Sequence, residues 1–591
     1  MEPTRLFDLL PRYEKLFNKS DMLTYKVNGV WTSFSAKEVA QDANLISYAL
    51  FDMGLQKGDK LSIISPNRPE WVMTNMGIME AGCINVPIYP TISQKDLVFI
   101  LNDAEVKYVF VPGKEAYHKV NQVKSEIPGL LGIISFDQLE GVTSWQSLLE
   151  LGKSCKNKDK LEEIKSSIGT HDCATILYTS GTTGNPKGVM LSHNNLLSNA
   201  IANKDAASFD TDSRVLSFLP LNHVFERMLT VLYLYNGLSI YYAESMEKIA
   251  DNLKEVQPHC FATVPRLLEK VYERIVAKGH ELTGIKKQLF FWALNLGLKY
   301  ELNGANGWWY EFQLKIANKI IFNKWREALG GKVKFIISGG AALQPRLARV
   351  FTAAGINVLE GYGLTETSPV VAVNSFQPNS IKFGTVGPVI KDVQVKFAED
   401  GEILVKGPNI MLGYYKQPEE TAKVLQDGWF STGDIGELVD GRFLKITDRK
   451  KEIFKTSGGK FITPQPIENH LKESPYIEQA MVIGDGHKFP AALIVPAFAA
   501  LKAWCDRNGI AYTTNEEMIK QEVIKHKMQK QVDVTNKDLA QYEQIKAFEL
   551  LHKDWSIEGG ELTPKLSLRR REILKLNEEL IAHIYRNEIK V

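Results

Sequence analysis

The chain has 591 residues, 44% hydrophobic and 24% charged, enough for one large catalytic body and a smaller partner domain. Its 71 Lys and Arg against 69 Asp and Glu leave a net charge of +2, which argues against a dedicated nucleic-acid binder, whose phosphate contacts need a large basic excess. Five scattered cysteines without CxxC spacing exclude a disulfide framework and a zinc site, and read as reduced thiols of a cytoplasmic protein.

The start, Met1 to Leu10, carries no apolar signal core. No apolar run reaches the roughly 18 residues of a spanning helix, and the best approach to one, Met228 to Ala243, is broken at Asn236-Gly237. Any membrane contact is therefore made from the side. From about residue 30 to 265, short apolar runs alternate with helical patterns. Lys60 to Ser65, Tyr108 to Pro112 and Ala174 to Tyr178 read as buried strands, Glu38 to Met53 and Pro69 to Ala81 as helices. Such alternation predicts layered α/β architecture.

Residues 266–330 are helical in period and basic, and hold four of the ten tryptophans. A second α/β stretch follows, with a strand over Val333 to Ile337. From about 380 to 447 the pattern is short strands with glycine turns, at Gly401 to Gly407 and Gly441 to Ile446. The charged run Asp448-Arg-Lys-Lys-Glu452 marks a domain boundary. The expected fold class is thus α/β. Residues 1–447 form a large body of two layered α/β subdomains plus a small β-barrel-like part, and residues 452–591 a smaller α+β domain.

After the strand Ala174 to Tyr178, and before a helix that Ser192 would cap, lies a loop of glycines and hydroxyls with one lysine, Lys187. Glycines admit backbone N–H groups close to phosphate oxygens, hydroxyls add donors and the lysine adds charge. The loop is not a Walker A motif. Pro186 stands where glycine must precede the lysine, and Gly188 where Ser or Thr must reach the metal. By itself the loop supports triphosphate binding only.

Tyr178-Thr-Ser-Gly-Thr-Thr-Gly-Asn-Pro-Lys-Gly188 resembles the signature of the adenylate-forming superfamily, which includes acyl-CoA synthetases, luciferases and peptide-synthetase adenylation domains. The other blocks follow in the order that superfamily uses. They are Ser338-Gly-Gly-Ala-Ala-Leu343, Gly361-Tyr-Gly-Leu-Thr-Glu-Thr-Ser-Pro369, Ser431-Thr-Gly-Asp-Ile-Gly436 and Asp448 to Lys460. The resemblance implies ATP, coenzyme A and Mg2+ as reactants and cofactor, and spans nearly the whole chain.

The implied reaction joins two anions, a carboxylate and the α-phosphate of ATP. Two unit charges about 4 Å apart cost about 4 kcal/mol at an effective dielectric of about 20, so cations and donors must stand where charge develops. The resemblance implies that Thr182, Thr183 and Lys187 hold the β- and γ-phosphates, and that Thr179, Ser180, Gly181 and Gly184 also bind the nucleotide. It gives the α-phosphate to Thr365 and Glu366, and the metal to Glu366 and Thr182, which supply hard oxygen ligands. Gly339, Gly340 and Ala341 would wall adenine and the substrate carboxylate, Tyr362 would stack on adenine, and Gly361 and Gly363 would also contact the nucleotide. Asp434 would accept both ribose hydroxyls, with Arg449 as a second contact, and His223 would border the acyl pocket. The resemblance further implies that residues 448–451 form a hinge, with which Lys451 aligns, that the domain 452–591 is mobile about it, and that Lys455, Gly458 and Gly459 line the coenzyme A tunnel.

One block departs from the pattern. The superfamily carries a catalytic lysine in a Leu-Thr-Pro-x-Leu-Lys context, whereas this chain reads Leu562-Thr-Pro-Lys-Leu-Ser567. The aligned residue is Ser567. Lys565, two residues earlier, keeps the same side of an extended loop but is displaced by roughly 6–7 Å. Lys565 is the expected catalytic residue, with Arg569 as fallback.

The segment 266–330, the block Leu539 to Phe548 and His223-Val-Phe-Glu-Arg227 resemble the long-chain fatty acyl-CoA synthetase branch, which implies a long-chain fatty acid as the acid. Phe290-Phe-Trp292 and Trp308-Trp-Tyr310, interleaved with Lys286, Lys287, Lys299 and Lys315, form a candidate basic-aromatic face for anionic lipid. The competing interpretation is a helical hairpin packed on the body. Two functional rivals stand beside the ligase: an acyl-AMP ligase or other acid activator with a different acceptor or acid, and a non-catalytic acyl or nucleotide sensor that retains the fold.

Overall fold

The structure, a computed structural model, describes residues 2–179, 185–207, 209–556, 558–563 and 568–586. Two eight-stranded sheets dominate the body. In the first, Cys173–Thr179, Ile84–Pro87, Lys60–Ile63, Val106–Val111 and Gly132–Ser135 lie side by side, with parallel pairing from Cys173–Thr179 outwards. In the second, the strands Asn357–Gly363, Phe335–Ser338, Cys260–Thr263, Arg214–Ser217, Ser239–Tyr242 and Leu23–Val27 are parallel throughout. Strands buried on both faces read as unbroken apolar runs, which is why Lys60, Tyr108, Ala174 and Val333 each open a run legible as a strand.

Two helices fill the space between the sheets. Every residue of Pro69–Glu80 is buried, and nearly every residue of Val224–Asn236. One core cluster joins them to strand residues of both sheets, such as Ile63 and Ile240. The long apolar run Met228 to Ala243 is thus most of the second helix plus the strand Ser239–Tyr242, and the helix ends at Gly237 with φ 74°.

The expected helix after Ser192 is present as His193–Ala202. Its cap is the Ser192 hydroxyl, which accepts from the Asn195 N–H at 3.1 Å. The segment before it corrects the sequence-based expectation. Lys187–Ser192 is a strand antiparallel to Cys173–Thr179, so the lysine expected in the loop stands at the start of a strand. Val189 and Leu191 bury their side chains while Met190 is half-buried, and that two-residue alternation is the strand signal that the phosphate-loop composition masks.

Residues 394–449 form a five-stranded antiparallel sheet. Its last strand, Phe443–Arg449, sets Arg449 opposite Asp434. A smaller domain follows, built on the sheet Ile477–Ile483, Ala491–Pro496 and Ala547–Leu550 with its own apolar clusters. It meets the body through an Arg266–Glu478 ion pair and through Arg346, whose guanidinium donates to the Lys472 carbonyl at 3.4 Å.

The segment 266–330 is helical, over Pro265–Glu281, Gly284–Leu298, Trp308–Ala317 and Asn323–Ala328. Half of the expected aromatic face belongs to the core. Phe290 and Trp325 are buried, Phe291 and Trp292 pack against the same cluster, and the Tyr310 hydroxyl donates to the Leu296 carbonyl at 2.6 Å. Periodicity cannot tell which aromatic face of a helix meets the body and which meets water.

Helix Trp145–Ser154 approaches Ala36–Asp52 so closely that a methyl group at Gly152 would stand 2.0 Å from the Leu45 carbonyl oxygen. Gly152→Ala forces two backbones apart and costs about 1–3 kcal/mol, which a lowered thermal unfolding midpoint of the purified protein registers. An unchanged midpoint refutes that close contact.

Candidate active site

A cavity of about 660 Å³ opens at the carboxyl ends of the central strands, where parallel sheets place their ligands. Tyr178 and Thr179 reach it from the end of Cys173–Thr179. Gly339 and Gly340 follow the strand Phe335–Ser338, and Gly361, Tyr362 and Gly363 end the neighbouring strand. Thr365 and Glu366 line it from the turn that follows, and Arg449 from the five-stranded sheet. A side chain at Gly363 would strike the Pro369 carbonyl at 1.8 Å, so this turn folds only around glycine.

Asp434 stands just behind the wall. The Tyr362 hydroxyl donates to its Oδ2 at 2.6 Å, and the Arg449 Nε lies 3.4 Å from its Oδ1. Burial raises the Asp434 carboxyl above its usual range, against the opposing pull of Arg449 and the Tyr362 hydroxyl. Any ligand hydroxyl that donates to this carboxylate favours its ionised form.

Lys187 does not line the cavity, though its neighbour Pro186 does. Its ammonium donates to Glu420 at 2.6 Å and sits 5.3 Å above the Tyr414 ring. The Tyr414 hydroxyl in turn donates to Glu366 at 3.0 Å. Hydrogen bonds from Lys187 and Lys423 bring the Glu420 carboxyl down to about 2. Tyr414 and Glu420 escaped the sequence analysis because nothing in their local pattern signals that they meet a lysine more than 200 positions away. Glu360 escaped it too. It accepts the Leu343 N–H at 2.9 Å and so holds the glycine-rich wall, and burial raises its carboxyl to about 8.

His223 caps the helix Val224–Asn236 by accepting the Phe225 N–H on Nδ1 at 3.0 Å, and it lines the cavity. Below it the lining turns apolar, with Val224, Met228, Leu229 and Leu232 on one face of the helix and Ile337 and Leu359 from the sheet. From the small domain, Leu562, Thr563 and Arg569 reach the same cavity. Lys565 lies outside the described residues, as do Ser180, Gly181, Thr182, Thr183 and Gly184.

Ala341, Lys451, Lys455, Gly458 and Gly459 are not among the residues lining the cavity. The loop 455–460 closes on itself, its Thr456 N–H donating to the Lys460 carbonyl at 2.9 Å, between the short strands Phe454–Lys455 and Phe461–Ile462.

Comparison with known proteins agrees with this geometry. The AMP-binding enzyme family matches residues 17–415, and the AMP-binding enzyme C-terminal domain matches residues 451–589. A long-chain-fatty-acid–CoA ligase of Mycobacterium bovis is 31% identical over 571 residues, covering 95% of this chain and 94% of that protein. Long-chain-fatty-acid–CoA ligase 1 of Homo sapiens is 32% identical over 601 residues, covering 95% of this chain and 83% of that protein. Among solved structures, the adenylation domain of a carboxylate reductase from Mycobacterium chelonae superposes with a TM-score of 0.77 at 20% identity, covering 98% of this chain and 91% of that one. An anthranilate CoA ligase in complex with anthranoyl-AMP gives a TM-score of 0.73 at 17% identity, with 97% and 98% covered. The chain belongs to the AMP-binding enzyme family.

Proposed function

We propose that this protein is an ATP-dependent ligase that activates a long-chain fatty acid as its acyl-adenylate and transfers the acyl group to coenzyme A. In the first step a carboxylate oxygen attacks the α-phosphorus, the bond from that phosphorus to pyrophosphate breaks, and acyl-AMP remains. In the second a thiolate attacks the acyl carbonyl and AMP leaves. The observation that carries this reading is one cavity with two unlike ends joined at His223. The polar end holds Thr365, Glu366 and Arg449, and the other end is apolar along the helix Val224–Asn236. The relatives named as long-chain-fatty-acid–CoA ligases, matched over about 95% of the chain, point the same way.

The geometry supports a role for each site residue. Tyr362, fixed by its hydroxyl on Asp434, offers adenine a ring that cannot turn away. Asp434 accepts the ribose hydroxyls, and Arg449 beside it adds a cation. A triphosphate takes the Lys187 ammonium from Glu420, exchanging one anionic partner for another. Glu366 and Thr365 offer carboxylate and hydroxyl oxygens of the kind Mg2+ takes, and Tyr414 keeps the Glu366 carboxylate aimed. These two residues, with Thr182, would hold the ion. When bound, it neutralises phosphate charge. For the thiol step we place the hinge at Lys451, so that rotation of the small domain brings Lys455, Gly458 and Gly459 to the cavity.

Palmitate-dependent exchange of pyrophosphate into ATP, followed by AMP release on adding coenzyme A, is the expected result. Exchange without a coenzyme A response assigns another acceptor, and absence of exchange with any fatty acid refutes the ligase. Lys565→Ala should lower exchange by about 10²–10³, the scale for losing one donor at developing charge, while preformed palmitoyl-AMP still reacts with coenzyme A. Normal exchange in that variant passes the role to Arg569, which lines the cavity.

We also propose that the helical segment rests on anionic membrane. No described helix is long and apolar enough to cross a bilayer. Trp308 is 79% exposed and Trp309 57%, and Phe312, Ile316 and Ile320 continue the apolar stripe at four-residue spacing. Lys315 and Lys319 flank them, and aromatic residues backed by lysines suit an anionic interface. Vesicles containing phosphatidylglycerol should retain the protein at low salt, and Trp308→Ser with Trp309→Ser should abolish most of that retention. Equal retention of wild type and variant removes the stripe from the contact, and no retention of wild type removes the membrane.

A further inference from the structure

Phe209 lines the apolar lobe of the cavity. The cavity follows the helix Val224–Asn236 as far as Leu232. One residue on, Tyr233 meets the Phe209 ring edge-on at 6.4 Å, and Phe209 meets Phe335 edge-on at 5.5 Å. Phe335 packs against Phe376 in the same manner at 5.6 Å. Rings in these arrangements attract one another through complementary edges and faces, so Phe209 has an aromatic wall behind it.

The segment that carries Phe209 is pinned from outside. The Ala206 carbonyl accepts the Phe376 N–H at 2.9 Å, the Asp205 carbonyl accepts the Gln377 amide at 3.1 Å, and Asp210 pairs with Lys334 at 2.7 Å. Ala206 and Ala207 also line the cavity, and their small side chains leave width just before Phe209.

The reach can be gauged from the helix. His223 is its cap, and Leu232 lies nine residues on, about 13.5 Å at 1.5 Å per residue. A staggered hydrocarbon with single bonds of about 1.5 Å advances roughly 1.25 Å per carbon, so about eleven carbons span that distance.

We propose that Phe209 sets the chain-length preference of the enzyme. A straight acyl chain laid along the helix meets its ring after about a dozen carbons, and the remaining carbons of a long chain are seated by displacing the ring from Tyr233 and Phe335, the more so the longer the acid. The inference rests on the fatty-acid reading of the cavity and adds the residue that measures the acid.

The test compares kcat/KM for octanoate, laurate, palmitate and arachidate in the wild type, Phe209→Ala and Ala207→Phe. A buried methylene is worth about fourfold in binding. Phe209→Ala should therefore raise the arachidate-to-laurate ratio by about tenfold or more, and Ala207→Phe should lower the palmitate-to-octanoate ratio by a similar factor. Ratios within about twofold of wild type, in whichever variant remains active, overturn the proposal while leaving the ligase intact. Because each ratio is taken within one protein, a variant with less folded material still decides the question. If no acid in the panel supports pyrophosphate exchange by the wild type, the fatty-acid reading itself fails and the stop falls with it.

Discussion

Arg227 is a guanidinium buried between the two large sheets, and it ties together the elements that meet at the cavity. It donates to Thr175 Oγ1 at 2.8 Å and to Asn75 Oδ1 at 2.6 Å, with the Trp71 ring 5.5 Å away. Thr175 belongs to the strand that ends in Thr179, Asn75 to the buried helix Pro69–Glu80, and Arg227 itself to the helix that His223 caps. Burial lowers the Arg227 pKa to about 9, so it keeps its proton at neutral pH without a carboxylate in these bonds. A buried cation is costly, and because the two neutral acceptors meet its terminal nitrogens while Nε stays unpaired, any shift leaves still more charge unsolvated. The adjacent Glu226 is raised to about 8 by burial and is therefore mostly neutral at pH 7, so the helix carries one charge through the core.

The apolar end and the polar end of the cavity are thereby fixed to each other through the core. Near the polar end Lys187, Glu420, Tyr414 and Glu366 form a chain of contacts in which a lysine is held by a carboxylate, the partner that a phosphate replaces in the proposed reaction. Such a pair keeps the ammonium near its working place without the full cost of an isolated charge. The exchange of one anion for another then costs little reorganisation, which is what electrostatic preorganisation requires.

Much of this was legible in the sequence where the signal is local. The Ser192 cap and the buried strands follow from composition over a few residues. The resemblance of whole blocks brought Tyr362, Glu366, Asp434 and Arg449 forward, and the structure gathers them around one cavity or its immediate wall. What was not legible depends on which surfaces meet. Tyr414 and Glu360 act through partners on other elements, Phe290 and Trp308 are alike in sequence yet opposite in exposure, and the aromatic wall at Phe209 is made by rings from four separate segments. Periodicity gives a helix its faces but not its neighbours.

The position of the small domain adds a constraint that bears on both half-reactions. As arranged here, Leu562, Thr563 and Arg569 reach the cavity, while the loop 455–460 closes on itself away from it. Both segments belong to one domain with a shared core, in which Arg570 grips Glu468 through two contacts at 2.6 and 2.7 Å and Glu452 at 3.0 Å. Neither can therefore move far without the other. For the loop to replace the Leu562–Arg569 segment at the cavity, the domain must turn as a unit, and that turn breaks Arg266 from Glu478 and Arg346 from Lys472. The Arg266–Glu478 ion pair is partly exposed, where such pairs are worth about 1 kcal/mol or less, and the Arg346 contact is a long hydrogen bond to a carbonyl. Neither contact strongly opposes the domain rotation proposed for the thiol step.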